Sequence, residues 1–599
     1  RRFYPSRMTG HAPPASLSRR ALLSGLGGAA LASRPFRARA DGPRPLYAAT
    51  NPEGEPLDGG AVVVGAMREP ASLHPWEPAS GVSADILAGV CEGLFTYNAA
   101  GRLQPALATS VSLDEDGLTY VFELRQDVRF HDGSRFTGDD VRAAWNARLD
   151  GQWAPAATLG WERVAAVEVD GATLTIRTTE PYAPFLSTVA ITPIVPAAAL
   201  DEGPDAFRQR FREQPVGTGP FAVSSWKFGE RIRLERFGGW WGGTPGLDRI
   251  DVRFPRDAAA LLAGLESGSI DLAVSLPLST VGAAAALPGL TVWKHLTPNW
   301  QHLDLKQVGF LRETAVRQAL DYATPRRRIV SDLMNGYATP AFADQMPGSW
   351  AFDEDLDARP FDPVRAAGLL EAAGFAPGRD GILQRDGEPF RIELWGVAGD
   401  ALAEAILAEI AAEWAGLGIA AIIRTASPAA LWGPMGYQFT DRMTACLYTW
   451  TNGPDPDNLF YWHSSQIPSS PTAPGGNVPA FFHPYAFQDQ LDDLTARGAS
   501  TLDVDERAAI YRDLQALLRE ESAAIFLYWE HAFPASRRDM AGFWPNPTTG
   551  LLWNAAAWRR VWAADPRRPG AAPAATPVAA RTAKPSRVPS RVPPATPTR

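Results

Sequence analysis

Residues 400–423 read "DALAEAILAEIAAEWAGLGIAAII" and carry both halves of an α/β fold in one line. Leu402, Ile406, Ile410 and Trp414 recur at helical spacing, the pattern stops at Gly418, and the apolar run "IAAII" follows as a strand. The same sequence of events recurs at 506–529, "ERAAIYRDLQALLREESAAIFLYW", where Ile510, Leu514 and Leu517 mark the helix and "AAIFLYW" the strand. Elsewhere the period is two. Leu118, Tyr120, Phe122 and Leu124 alternate with polar neighbours in "LTYVFELRQDVRF", as do Ile232 and Leu234 in "GERIRLERF". Mixed α/β is the fold class this predicts, with no internal repeat.

At 599 residues the chain exceeds one ordinary hydrophobic core, so two or three packed units are expected. Hydrophobic residues at 45% and charged residues at 21% are globular values, and 20 tryptophans supply flat apolar surface for pockets. A net charge of -9 argues against a nucleic-acid partner, which needs a concentrated basic face. Only four of the 57 basic residues are lysines (Lys227, Lys294, Lys306 and Lys584), a bias of codon usage and not of function.

The two ends differ from the middle. From Ser18 the chain reads "SRRALLSGLGGAALASRPFRARA": paired arginines, a short apolar run, then Ala38-Arg39-Ala40 as a cleavage site. Residues 8–40 are thus expected to be a twin-arginine-like export signal, or an ordinary secretory one. Its apolar run is too short to span a bilayer. Cys91 and Cys446 are the only cysteines, neither beside the cleavage site, so a soluble periplasmic protein without a lipid anchor is expected. Their apolar neighbours favour two separate buried thiols over a disulfide. Residues 563–599, rich in Pro, Ala and Arg, cannot build a core and are expected to be a disordered tail.

Five segments then resemble, in order, the family 5 extracellular solute-binding proteins of ABC importers, which include dipeptide-, oligopeptide-, nickel- and glutathione-binding proteins. They are "LDEDGLTYVFELRQDVRFHDGSRFTGDDV" at 113–141, "PVGTGPFAVSSWKFGERIRLERFGGWWGG" at 215–243, "ETAVRQALDYATPRRRIVSDLMNGYATPA" at 313–341, "FDPVRAAGLLEAAGF" at 361–375 and "DPDNLFYW" from Asp455. The resemblance implies a two-lobed periplasmic binding fold of the large, cluster C type, with hinge strands between the lobes. Lobe I would take 41–298, with a subdomain around 110–214, lobe II 299–530, and 531–562 would return to lobe I. Crossings would fall near Asn299 to Leu305 and near Ala524 to Ala535. The implied activity is capture of a peptide or related small solute by a monomer and delivery to membrane permease subunits, with no cofactor, no resident metal and no catalysis.

The landmarks also have bare physical readings. Gly217 and Gly219 with Pro220 make a rigid turn and no nucleotide fingerprint, since the full glycine pattern is missing. His131 sits in an Asp-Gly turn with no His, Cys or acidic cluster near it, which favours a turn residue over a metal ligand. Arg326 to Arg328 are expected to form a solvated face.

Function concentrates in residues 448–462, "YTWTNGPDPDNLFYW". In peptide-binding members the resemblance places a Trp, two residues, and an Asp that holds the peptide ammonium, with Asp-Pro-Asp three positions on. Here the segment is one residue shorter: the candidates for that Asp are Asn452 and Gly453, neither acidic. A buried ammonium without a carboxylate costs several kcal/mol. Asp455 either replaces it or caps the following helix through Asp-Pro-Asp turn chemistry, the structural role being favoured. Trp450 and Trp300 form either a flat wall against solute or packing between lobes or in a core. Phe460, Tyr461 and Trp462 are read as core. Among other classes, a secreted hydrolase lacks both G-x-S-x-G and H-E-x-x-H, leaving only paired carboxylates. A chelated metal such as nickel is the nearer alternative, its ligands then coming from a small molecule because only 8 His are present.

Overall fold

The computed structural model describes residues 55–561, apart from 78–80, 99–100, 151, 154–159, 357–358, 474 and 547, together with the backbone of 44–45. The expected export signal and tail lie outside these residues.

The helix and strand of 400–423 form as their spacing dictates. Asp400 caps Ala401–Gly416 by accepting from the Ala403 amide at 3.0 Å. Ile406, Ile410 and Trp414 are buried, and Gly418 turns the chain at φ 86°. The strand runs Ala420–Ala426, past the apolar run, because it is the outermost strand and one face stays wet. The helix Val504–Glu521 likewise ends at Ser522, φ 44°, and passes into the strand Ala524–Ala532.

One large sheet path links two halves of the molecule. Strands Phe221–Lys227, Arg231–Arg236, Arg249–Arg253, Ala61–Gly65, Leu272–Ala273 and Ala535–Arg537 form the first half. The second comprises Ala338–Pro340, Ala524–Ala532, Ala445–Thr451, Arg391–Val397 and Ala420–Ala426. The strand Leu290–Leu305 belongs to both. Its first residues pair with Ala535–Arg537, and from His295 onward it pairs with Ala524–Ala532. Two antiparallel strands therefore run side by side from one half to the other, through residues 293–298 and 533–534. The first passage lies ahead of the expected 299–305, since by Asn299 the strand is already paired with Thr451. Register slips by two residues between Leu296 and Trp300, so Thr297, Pro298 and Asn299 bulge from the ladder.

Three principal cores result. One joins Val62, Val64 and Ile250 to Leu551, Leu552 and Trp558. A second packs Trp414, Ile410 and Leu320 against Leu303 and Ile525. The third fills a four-stranded antiparallel sheet at 108–178 with Trp145, Phe122, Phe185 and Phe207, and it also takes in Leu459 and Ala499 from the other lobe.

Elsewhere the glycine and arginine motifs resolve. A Cβ on Gly217 would lie 2.0 Å from the Val90 carbonyl oxygen, so that loop is glycine because backbone presses on backbone. His131 clamps it: Nδ1 accepts from the Gly217 amide at 3.2 Å and Nε2 bonds the Gly219 carbonyl at 3.0 Å. In the arginine run the expectation of a solvated face fails at Arg326, while Arg327 is exposed. Arg326 is buried, ion-paired with Asp321, and Arg328 bridges Glu409 and Glu413. Cys91 and Cys446 are separate buried thiols, and burial pushes the Cys91 thiol up to about 12.

Candidate functional site

Residues 448–462 divide into a strand end and a turn, and the two behave differently. The strand Ala445–Thr451 is antiparallel to Leu290–Leu305, with Trp300 opposite Trp450 and His302 opposite Tyr448. On its other side it meets Arg391–Val397 only at Ala445 and Cys446. Among the described residues no strand covers that side of 447–451.

Which backbone groups face the open side follows from two contacts. The Asn452 amide donates to the Pro298 carbonyl at 2.9 Å, within the ladder, and the Tyr461 hydroxyl donates to the Thr451 carbonyl at 2.7 Å, outside it. Successive residues alternate, so Trp450 and Tyr448 point their backbone inward and Thr449 points its N–H and C=O outward. Along this edge runs a groove of about 720 Å³. Trp432, Phe439, Tyr448, Trp450, Phe460 and Tyr461 wall it. Trp450 and Tyr461 stack at 4.1 Å with their planes 7° apart, and Trp432 stands edge-on to Tyr448. The one carboxyl group on the described lining is Asp304, hydrogen-bonded through Oδ1 to His302 Nε2 at 3.0 Å. Asp304 also faces the Lys306 ammonium, whose pKa burial lowers to about 8 and which donates to the Gln438 and Thr440 carbonyls.

The turn is saturated. Both ends of the Asn452 amide bond inside the protein: Oδ1 accepts from Trp300 Nε1 at 2.8 Å and Nδ2 donates to the Asp344 carbonyl at 2.6 Å. Asp455 is held by Arg507 at 2.6 and 3.1 Å, by the Ser187 hydroxyl at 2.9 Å and by the Asp457 amide at 3.1 Å. Ser187 belongs to the 108–214 region, so this carboxylate ties the two lobes together. Asp457, half-buried, has its carboxyl raised to about 6, desolvation being the main cause and Asp455 the second. Behind the turn Asp344 accepts from Asn458 at 2.8 Å and Trp462 at 2.9 Å, and burial raises it to about 6. Between the lobes Asn452, Gly453 and Asp455 line a cavity of about 80 Å³ with Tyr97, Ser187 and Trp350. That is space for a few waters.

The five sequence candidates therefore separate. Trp450 lies on the groove while its other face packs on Trp300 and Trp462. Trp300 is wholly buried, at 0% exposure, and touches no cavity described here; it is core. Asn452, Gly453 and Asp455 line the small cavity and not the groove. Phe460 corrects the core reading, being 41% exposed on the groove rim, and Tyr461 is half-buried. Trp432, Phe439 and Asp304 were missed: they come from other segments, and nothing local marks them. Arg507 was missed too, although an arginine at a core-facing position of the 504–521 helix signals a buried partner.

Two sheets joined by a pair of crossing strands, with a groove against one of them, define a two-lobed solute-binding protein. The chain belongs to the bacterial extracellular solute-binding proteins of family 5, whose middle-region model matches residues 102–470. It is 27% identical to the glutathione-binding protein GsiB of Escherichia coli (strain K12) over 506 residues, 83% of this chain and 94% of that protein. It is 26% identical to the oligopeptide-binding protein AppA of Bacillus subtilis (strain 168) over 519 residues, 84% and 92% of the two. The structure of the Bacillus subtilis AppA in complex with a nonapeptide superposes with a TM-score of 0.72 at 25% identity, covering 85% of this chain and all of that one. NikZ from Campylobacter jejuni, in complex with Ni(L-His), shares the fold at a TM-score of 0.72 and 24% identity, over 84% of this chain and 99% of its own. Among the described residues no helix is long and apolar enough to cross a membrane.

Proposed function

We propose that the protein is the periplasmic substrate-binding component of an ABC importer, that its solute is a peptide or peptide-like compound, and that the groove along Leu447 to Thr451 receives it. The carrying observation is the open strand edge: Thr449 offers one donor and one acceptor to an extended chain, and the aromatic walls offer side-chain surface. The glutathione- and oligopeptide-binding relatives support the same class. Lobe I then comprises residues up to about 293 and from about 534, lobe II those between, and the two crossing strands act as the hinge. Closure would bring lobe I over the groove, and the loaded form would dock on membrane permease subunits. The chain acts as a monomer without cofactor or catalysis, exported by the 8–40 signal.

Thermal-shift screening of the mature protein against peptides of two to nine residues, glutathione, opines and metal chelates tests this. A raised melting temperature with peptides is expected. Stabilisation by a chelate alone would replace the peptide reading, and turnover of a solute would remove the transport reading.

A further inference from the structure

We infer that recognition in this groove is independent of the peptide's ends: the site takes the interior of an extended peptide carrying a bulky apolar side chain, and leaves its ammonium and carboxylate unanchored. The inference rests on the peptide reading above and adds the class of peptide.

Its first support is the turn that follows the strand. A free ammonium held there needs an acceptor with a lone pair to give. The Asn452 oxygen is neutral and already holds Trp300, its nitrogen donates to the Asp344 carbonyl, and each oxygen of Asp455 accepts two bonds, from among Arg507, Ser187 and the Asp457 amide. Drawing either away would strand a buried indole N–H or a buried guanidinium. The second support is the groove itself. Asp304, the acid that lines it, already bonds His302 and has Lys306 as an electrostatic neighbour, and the described lining contains no Lys, Arg or His to hold a carboxylate. What remains for contact, beside the second oxygen of the Asp304 carboxylate with Lys306 as its neighbour, is the Thr449 backbone and six aromatic rings. A main-chain pair fixes the direction of the peptide, and the rings read one side chain by area and stacking.

Isothermal titration with a pentapeptide, Ala-Ala-Phe-Ala-Ala, tests this in four forms: free ends, N-acetylated and C-amidated ends, and each of these with Phe replaced by Ala. The free and blocked Phe peptides are expected to bind within about threefold of each other. The two Ala peptides are expected to bind at least about tenfold more weakly. If the free Phe peptide binds and the blocked one is tenfold weaker, the end-independence fails and the peptide reading stands. If the Ala peptides match the Phe peptides, the side-chain reading fails. If none binds, while another solute class raises the melting temperature, both this inference and the peptide reading fall.

Discussion

The two halves of residues 448–462 line different cavities, the groove and the small space between the lobes, and have opposite hydrogen-bonding states. Along Tyr448 to Thr451 the outward backbone of Thr449 is unclaimed and the side chains present ring faces to a groove. From Asn452 to Asn458 the Asn452, Asp455 and Asn458 side chains are committed to other parts of the fold. A binding surface needs groups with unspent capacity, whereas a hinge-side turn needs groups with none. Polarity alone therefore does not mark a solute site: the Asn and the Asp have the chemistry of solute ligands, and in this structure they bond the protein.

The largest break in this contrast comes from Asp455→Asn. Arg507 would keep its buried position and lose its ionic partner, and removal of one member of a buried pair costs about 3–5 kcal/mol. Chemical denaturation reads the loss, and because Ser187 also loses a charged acceptor, the 108–214 region should become protease-sensitive first. Unchanged stability would mean that the turn is not a clamp.

Next comes a pH-dependent effect at Asp344. Its carboxyl is raised to about 6 in the folded protein against an ordinary value near 3.8, so the folded state binds the extra proton between those values. Stability from this group is full below about pH 4 and declines as pH rises to about 6. Asp344→Asn keeps an oxygen for Asn458 and Trp462 and does not ionise. Relative to the unmodified protein, the variant should gain about 3 kcal/mol as pH rises from 4 to 6 and hold it above that. A difference between the two proteins that stays flat with pH would refute a charged Asp344 behind the turn.

Asn452→Asp ranks third. The exchange removes the donor to the Asp344 carbonyl and sets an anion against that oxygen, so stability should fall by about 1–3 kcal/mol. From sequence alone the same change restores an ammonium site. A gain of tenfold or more in affinity for free-amine over acetylated peptides, without destabilisation, would show the side chain turned to solute and sink the saturated-turn reading.

The sequence carried the class of fold and its landmarks because those are local facts. Leu402, Ile406, Ile410 and Trp414 announce their helix by spacing alone, and Gly217 and Gly219 announce a close backbone approach by having no side chain. The site was half legible. Trp450 could be placed at the end of a strand, but whether it faced core or cleft depended on Trp300, Trp462 and Tyr461, which reach it from elements 150 residues or 11 to 12 residues away in the chain. The fates of Asn452 and Asp455 depended on Asp344 and Arg507, distant by 108 and 52 residues. Partners at such separations leave no periodic trace. At 326–328 the reading failed at Arg326 for the same reason, since its burial is set by Asp321 and Phe526 and not by the composition of the run.

The smallest expected change in stability separates the halves most sharply. Thr449→Pro removes one N–H that points away from the ladder. Proline is tolerated on an open strand edge where the lost amide faced solvent, so the fold should lose under about 1 kcal/mol. Part of that loss belongs to the hydroxyl, which bonds Gln301. Thr449→Val supplies the control, since it loses the hydroxyl and keeps the amide. Peptide affinity should then drop about tenfold in the proline variant and stay within about threefold in the valine variant, as titration with the blocked Phe pentapeptide would show. Equal affinities in the two variants would mean that the strand edge takes no part in binding. The aromatic walls alone would then account for capture, and the contrast between open strand and closed turn would concern folding only.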